Sequence, residues 1–186
     1  MGAIADAGSR AHAPPPVAND SIRLARADEL EALSAIEDRA GEMYAEVGIP
    51  DDLEGLPLET FAAAQADAAL WVIADDTDSA VAFALCWRRP DALHIRELDV
   101  DPPHMRRGLG RRLIEHVRDR AAGESRAWVT LTTFAEVPWN GPLYRRYGFS
   151  EVADLPEWLA EIREEEGAHG LDRWPRIAMR IPSTRP

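Results

Sequence analysis

The chain has 186 residues, enough for one domain with its own core, and its 46% hydrophobic and 29% charged content is that of a globular protein. Its 33 acidic residues outweigh 21 basic ones, and the net charge of −12 repels nucleic acid while attracting cationic partners such as amines. No stretch approaches the ~20 apolar residues that span a bilayer, the start lacks a signal-peptide core, and the lone Cys86 can form no disulfide within the chain. A cytoplasmic location with no membrane and no nucleic acid as partner is expected; a homodimer is one compatible assembly.

Residues 1–19, rich in Ala, Gly and Pro, read as a disordered arm, and 20–186 as a single domain. Ser21 to Ala25 alternates as a first strand. Leu30, Leu33, Ile36 and Met43 recur at helical spacing, with Asp28 placed to cap. Gly48 to Asp52 breaks that helix, and a second follows over roughly 58–67 with Phe61 on its apolar face. Strands at 70–76 and 80–87 are joined by the turn-forming run Asp76 to Ser79, and Pro90-Asp91 turns the chain into a strand over 92–100.

That strand changes phase. Leu93 and Ile95 are apolar at odd positions, Leu98 and Val100 at even ones. A period-two strand keeps all four on one face only if a residue is inserted, so a β-bulge is predicted between Ile95 and Leu98.

The strand runs into Asp101-Pro102-Pro103, a basic turn with Gly108 and Gly110, and an amphipathic run with Leu109, Leu113, Ile114, Val117 and Ala121 at helical spacing. A helix start offers unpaired N–H groups and the positive end of the peptide dipoles, while Arg106, Arg107, Arg111 and Arg112 add charge around it. The stretch reads as a phosphate or pyrophosphate site. The glycines would equally serve a basic helix start that needs them for its turn alone. Leu113 stands where a dinucleotide fingerprint needs a third glycine, and the Gly-Lys-Ser/Thr of a P-loop is missing.

Residues 127–134 form a near-continuous β-type run suited to a buried strand, and strand–helix–strand implies a parallel pair with a right-handed crossover. Pro142, Leu143 and Tyr144 open a short helix that Gly148 ends, and Phe149 enters another strand. A charged helix over 155–167 and a strand over 176–181 complete the chain.

The Gly108/Gly110 turn resembles the acetyl-CoA loop of the GNAT (Gcn5-related N-acetyltransferase) superfamily, Gln/Arg-x-x-Gly-x-Gly/Ala after a strand and opening a helix; its Gln/Arg position falls on Met105. Leu143, Tyr144, Gly148 and Phe149 resemble the second signature, L-Y-x-x-x-G-F. The resemblance spans roughly 21–181. It implies an α/β fold with a mixed, mostly antiparallel sheet, a central splayed parallel strand pair and helices on both faces. It also implies acetyl-CoA as co-substrate, held along Leu98, Asp99 and Val100, by Met105, Arg106, Arg107, Gly108, Leu109, Gly110 and Arg111 at the turn, and by Asn140. Where GNATs often have Asn seven residues before the tyrosine, this chain has Val137, and Asn140 lies nearer.

The implied activity is acetyl transfer from CoA to a primary amine by direct attack, which needs a neutral amine, a polarised carbonyl and a proton for the thiolate. Glu97 occupies the position where many GNATs place a general base; an ordinary charged strand residue fits it too. Asp99 shares its face if the strand is regular there, and two close carboxylates would raise one pKa. Tyr144 matches the tyrosine that protonates the CoA sulfur, with a core tyrosine beside Phe149 as the alternative.

His94, His104 and His116 lack ligand spacing, so no metal is expected. Cys86 reads as a core hydrophobe, Trp139 as a pocket wall or packing residue, and Tyr44 and Glu46 as neighbours of the acceptor. A non-catalytic acyl-CoA sensor and a transferase of longer acyl groups are the alternative functions; the acceptor's identity is not legible.

Overall fold

The computed structural model describes residues 21–50 and 55–184, so the arm expected at 1–19 and Asp51–Asp52 of the helix break lie outside the described residues. In the described residues one sheet carries seven strands, β1 (Ser21–Leu24), β2 (Leu70–Ala74), β3 (Ala80–Arg88), β4 (Ala92–Val100), β5 (Trp128–Phe134), β6 (Ser150–Glu151) and β7 (Arg176–Pro182). Their spatial order is β1-β2-β3-β4-β5-β7-β6, antiparallel throughout except for β4 beside β5. The helices are α1 (Leu30–Gly41), α2 (Leu58–Ala66), α3 (Leu109–Gly123), α4 (Gly141–Arg146) and α5 (Glu157–Ala168).

Helices cover both faces because the central strands are apolar on both sides. Trp71, Ile73, Ala84, Cys86, Val129 and Met179 pack beneath α3, whose own Leu113, Ile114, Val117 and Ala121 are fully buried. Leu70, Val72, Phe83 and Leu85 face the other way, against Leu33 and Ile36 of α1 and Phe61 of α2. Such continuous apolar strands are what a two-sided sheet requires.

The phase slip in β4 is a bulge. Leu85 pairs with Glu97 but the next residue, Cys86, pairs with Ile95, leaving Arg96 as the extra residue. The insertion keeps Leu93, Ile95, Leu98 and Val100 together on the α3 side. Without it Glu97 and Asp99 would be buried under α3, at the large cost of an unpaired charge in an apolar core.

The bulge also ends the parallel pairing. β4 and β5 are matched from Ala92/Trp128 to Ile95/Leu131 and no further, while β5 continues to Phe134 on the support of β7. Beyond Ile95 the two strands splay. Asp101 N–H donates to the Val81 carbonyl, so by alternation the backbone groups of Leu98 and Val100 face the opened side of β4.

Several boundaries differ from the sequence expectation. Glu29, not Asp28, stands before α1; its carboxylate accepts the Arg26 N–H and is clamped by Arg23, so it fixes the turn rather than capping the helix. Met43 lies past α1, in a 3-10 segment over Glu42–Val47. β2 stops at Ala74 because Asp75 starts the turn, accepting the N–H groups of Thr77 and Ser79 on one carboxylate oxygen. The last helix waits for Pro156 and starts at Glu157.

Candidate active site

A cavity of about 430 Å³ opens at the splay, on the face opposite α3. β4 supplies Glu97 and Asp99, β5 supplies Thr133 and Phe134, the end of α1 and the segment after it supply Glu37 and Tyr44, and the α4 region supplies Asn140 and Tyr144. The two predicted catalytic residues are thus brought to one cavity, and Asp99 joins them on the same face of β4.

The cavity is an electrostatically strained place for carboxylates. Burial, partly offset by Arg96, Arg176 and a hydrogen bond from the Leu98 N–H, holds the Glu97 carboxyl above its ordinary value. Burial and the charges of Glu97 and Glu37 push Asp99 well above the carboxylate range, and its Oδ2 is buried without a partner. Burial and Glu97 push Glu37 up to about 8. Glu97 raises Glu37, and both raise Asp99, so a cation among the three would favour their ionised forms.

Tyr144 both packs against Phe149, with ring centroids 5.6 Å apart edge to face, and lines the cavity. The core and cavity alternatives are therefore compatible. Burial is the main cause that raises its phenol, with Tyr44, Glu97 and Asp99 adding to it, so the hydroxyl keeps its proton through neutral pH. Asn140 is committed within the protein: its Nδ2 donates to Thr133 Oγ1 at 2.9 Å, and its carboxamide shares the Tyr44 hydroxyl at 3.1–3.2 Å. It stands immediately before α4 and ties that helix to β5 and to the segment after α1.

The basic turn lies at the start of α3, across the sheet from the cavity. Gly108 takes a left-handed φ of +79° that favours glycine, and nothing lies within 4 Å of where a Cβ would stand. Arg106 is also left-handed at +61°. The first intrahelical bond of the turn runs from Arg112 N–H to the Gly108 carbonyl, which leaves the N–H groups of Leu109, Gly110 and Arg111 pointing out of the helix start. Arg106, Arg107 and Gly108 are exposed, Met105 is half-buried, and the Leu109 side chain is in the core, so Leu109 offers only its backbone. Arg111 sits 5.9 Å over the Tyr147 ring.

A Cβ on Gly110 would meet the Leu98 side chain at 3.4 Å and Val100 at 3.9 Å. Gly110 thus lies where α3 packs on β4, at distances that an added methyl would meet as ordinary contacts.

Glu37, Thr133 and Arg176 also line the cavity and were not singled out by sequence. Glu37 falls in an acidic, solvent-like run of α1, and only the tertiary fold turns it toward Glu97. Arg176 is held by buried Glu166 at 2.8 Å and packs over Phe134, 4.7 Å from its ring centre. Glu46 is exposed and outside the cavity wall, whereas Trp139 packs on Tyr44 at 5.9 Å. His94 is buried between Trp87 and Trp158, shares a hydrogen bond with Thr130 Oγ1 at 3.0 Å, and is pushed by burial down to about 3. Cys86 is a buried thiol pushed up by desolvation, inert as a nucleophile. Among the described residues no group of His, Cys, Asp and Glu could hold a metal ion, and no helix is long and apolar enough to cross a membrane.

Residues 66–151, from the end of α2 through β6, match the family model described as an acetyltransferase (GNAT) domain. Solved structures share the fold over most of the chain. N-acetylglutamate synthase from Neisseria gonorrhoeae, complexed with coenzyme A and N-acetyl-glutamate, matches at TM-score 0.67 and 19% identity, over 90% of this chain and 36% of its own. The ribosomal-protein-S18-alanine N-acetyltransferase from Escherichia coli matches at 0.64 and 21% identity, over 90% of this chain and 96% of its own. A GNAT-family acetyltransferase from Staphylococcus aureus matches at 0.65 and 16% identity, over 89% of this chain and all of its own. The chain therefore spans about a third of the synthase and nearly the whole of the other two.

Proposed function

We propose that this chain, a member of the GNAT superfamily by the match over residues 66–151 and by its sheet, moves an acetyl group from acetyl-CoA to a primary amine by direct attack. The observation that carries the reading is the meeting of the Glu97–Asp99 carboxyl pair and Tyr144 at one cavity where β4 and β5 part. Around it the residues fit the donor. The open, left-handed Gly108 turn and the outward N–H groups of α3 suit a pyrophosphate, with Arg106 and Arg107 beside it. The freed edge of β4 at Leu98 and Val100 suits the amide groups of an extended arm.

Acetyl-CoA supplies the activated acyl group as a thioester. The Glu97–Asp99 pair takes the proton that the ammonium must lose, and the Val100 N–H on the freed edge polarises the carbonyl. Tyr144 gives its proton to the departing sulfur. The balance is one C–S bond exchanged for one C–N bond: of the two protons the ammonium nitrogen loses, the first is taken by the carboxyl pair and the second, shed as the adduct collapses, restores through solvent the proton that Tyr144 gave to the thiol.

The raised carboxyls set the pH dependence. A group whose pKa is lifted stays protonated, and cannot accept, until the pH exceeds that lifted value, so the rate should go on rising with pH above the ordinary carboxylate range. Thiol release from acetyl-CoA with a panel of primary amines tests the reading. Tyr144→Phe should lose about 10²- to 10⁴-fold in turnover while still binding the cofactor. Glu97→Gln with Asp99→Asn should lose most near neutral pH, with a deficit that narrows at high pH, where more amine is already neutral. Profiles that overlay the wild type would remove these groups from the mechanism.

A further inference from the structure

The cavity has more negative charge than a base requires. Glu37 enters from α1, on the wall facing β4, and its Oε1 accepts the Leu56 N–H at 2.9 Å. Its Oε2 is buried and has no partner, like Oδ2 of Asp99 on the opposite wall. Two unsatisfied carboxyl oxygens from different elements thus line one space, and Glu97, which lines it too, acts electrostatically on both groups. Exposed Asp38, next to Glu37 on α1, and exposed Glu42, at the start of the 3-10 segment that follows, stand at the cavity's mouth.

The cations in the wall do not balance this set. Arg176 is already neutralised by Glu166 at 2.8 Å, and Glu166 is also gripped by Arg163 and Thr132. Arg96 lies 5.5 Å over the Trp87 ring and offsets one charge. All 21 basic residues of the chain are arginine, so no lysine can swing in. A buried carboxyl without a partner is costly in either state, and the natural remedy is a ligand that brings the missing donors.

Resting on the acetyl-transfer reading above, we infer that the acceptor is a dication, an aliphatic diamine or oligoamine whose reacting nitrogen lies at Glu97 and Asp99 and whose second ammonium is held by Glu37. One nitrogen must shed its proton to react, while the other stays charged and anchors the molecule. A monoamine leaves Glu37 unsatisfied. An α-amino acid would bring its carboxylate among three others, with the one arginine suited to meet it already committed to Glu166. Asp38 and Glu42 attract the dication to the mouth and contribute little binding once it is seated, because exposed pairs are weak.

The experiment compares 1,5-diaminopentane and spermidine with n-pentylamine and L-alanine, by calorimetry on the CoA-saturated protein and by thiol release from acetyl-CoA. The dications should exceed n-pentylamine by at least about tenfold in affinity and in kcat/KM, the scale of one charge-assisted hydrogen bond in a partly dry site. Glu37→Gln, which keeps an acceptor for the Leu56 N–H, should bring that ratio close to one. Asp38→Asn with Glu42→Gln should reduce it only about twofold. Equal use of n-pentylamine or alanine overturns the inference and leaves acetyl transfer standing. A ratio that survives Glu37→Gln also overturns it. Preferential binding of the dications with no thiol release from any amine would uphold the ligand class and sink the transfer reading instead.

Discussion

Gly141 offers a sharp test of how the α4 region is held. It is buried at the first position of α4, between Asn140 and the turn that carries Tyr144. A Cβ built there would lie 2.5 Å from the Ala135 carbonyl oxygen, 3.0 Å from its carbon and 3.1 Å from the Phe134 oxygen. The first distance is about 1 Å short of an ordinary carbon contact. Both oxygens belong to backbone, which cannot rotate away like a side-chain end, so Gly141→Ala must push α4 off the end of β5. Overpacking of this kind costs about 1–3 kcal/mol, and at about 2–4 °C per kcal/mol for a domain this size Tm should fall by about 2–12 °C. Displacing Tyr144 by ~1 Å should lower acetyl transfer by up to about 10²-fold. Gly123→Ala is the control: it ends α3 with nothing within 4 Å of its Cβ, and Ala should be neutral or stabilising by up to about 1 kcal/mol. Thermal unfolding and single-turnover acetylation at saturating acetyl-CoA read both effects. A Gly141→Ala protein that melts and turns over like the wild type would refute the steric argument.

Two further changes separate binding from stability. Gly108→Trp has room for its side chain but must hold a left-handed φ of +79°, so it should cost about 1–2 kcal/mol of stability, remain folded and lose CoA binding in calorimetry. Wild-type affinity in that variant would move the pyrophosphate elsewhere. Glu166→Gln leaves buried Arg176 and its neighbour Arg163 facing a neutral amide, and should destabilise by about 3–5 kcal/mol in denaturant unfolding, since an ion pair broken from one side strands a buried charge. A loss below about 1 kcal/mol would mean water already reaches the pair.

The elements were legible wherever local pattern and tertiary demand agree. The apolar spacing of α3 carried its own burial, and the even–odd shift between Ile95 and Leu98 located the bulge because a strand's side chains alternate whatever surrounds it. Local hydrogen bonding set the misread boundaries: Asp75 closes its turn a residue early, and Glu29 answers Arg23 and Arg26 rather than the helix start.

By itself the sequence determined the strand and helix order, the phase slip, the glycine turn before α3, and the placement of Glu97, Asp99 and Tyr144 as residues worth watching. The first three depend on neighbours within a few positions, where chain geometry leaves little choice, whereas Glu97 and Tyr144, with Asp99 beside Glu97, were marked by the resemblance to the GNAT signatures. Only the tertiary structure decided that Glu37, some sixty residues before Glu97, shares a cavity with it, that Asn140 is committed to Thr133 and Tyr44, and that Arg176 reaches the cavity already neutralised by Glu166. Those facts are set by which faces pack across the sheet, and a carboxylate's charge state follows from the groups that surround it in space, not from those beside it in the chain.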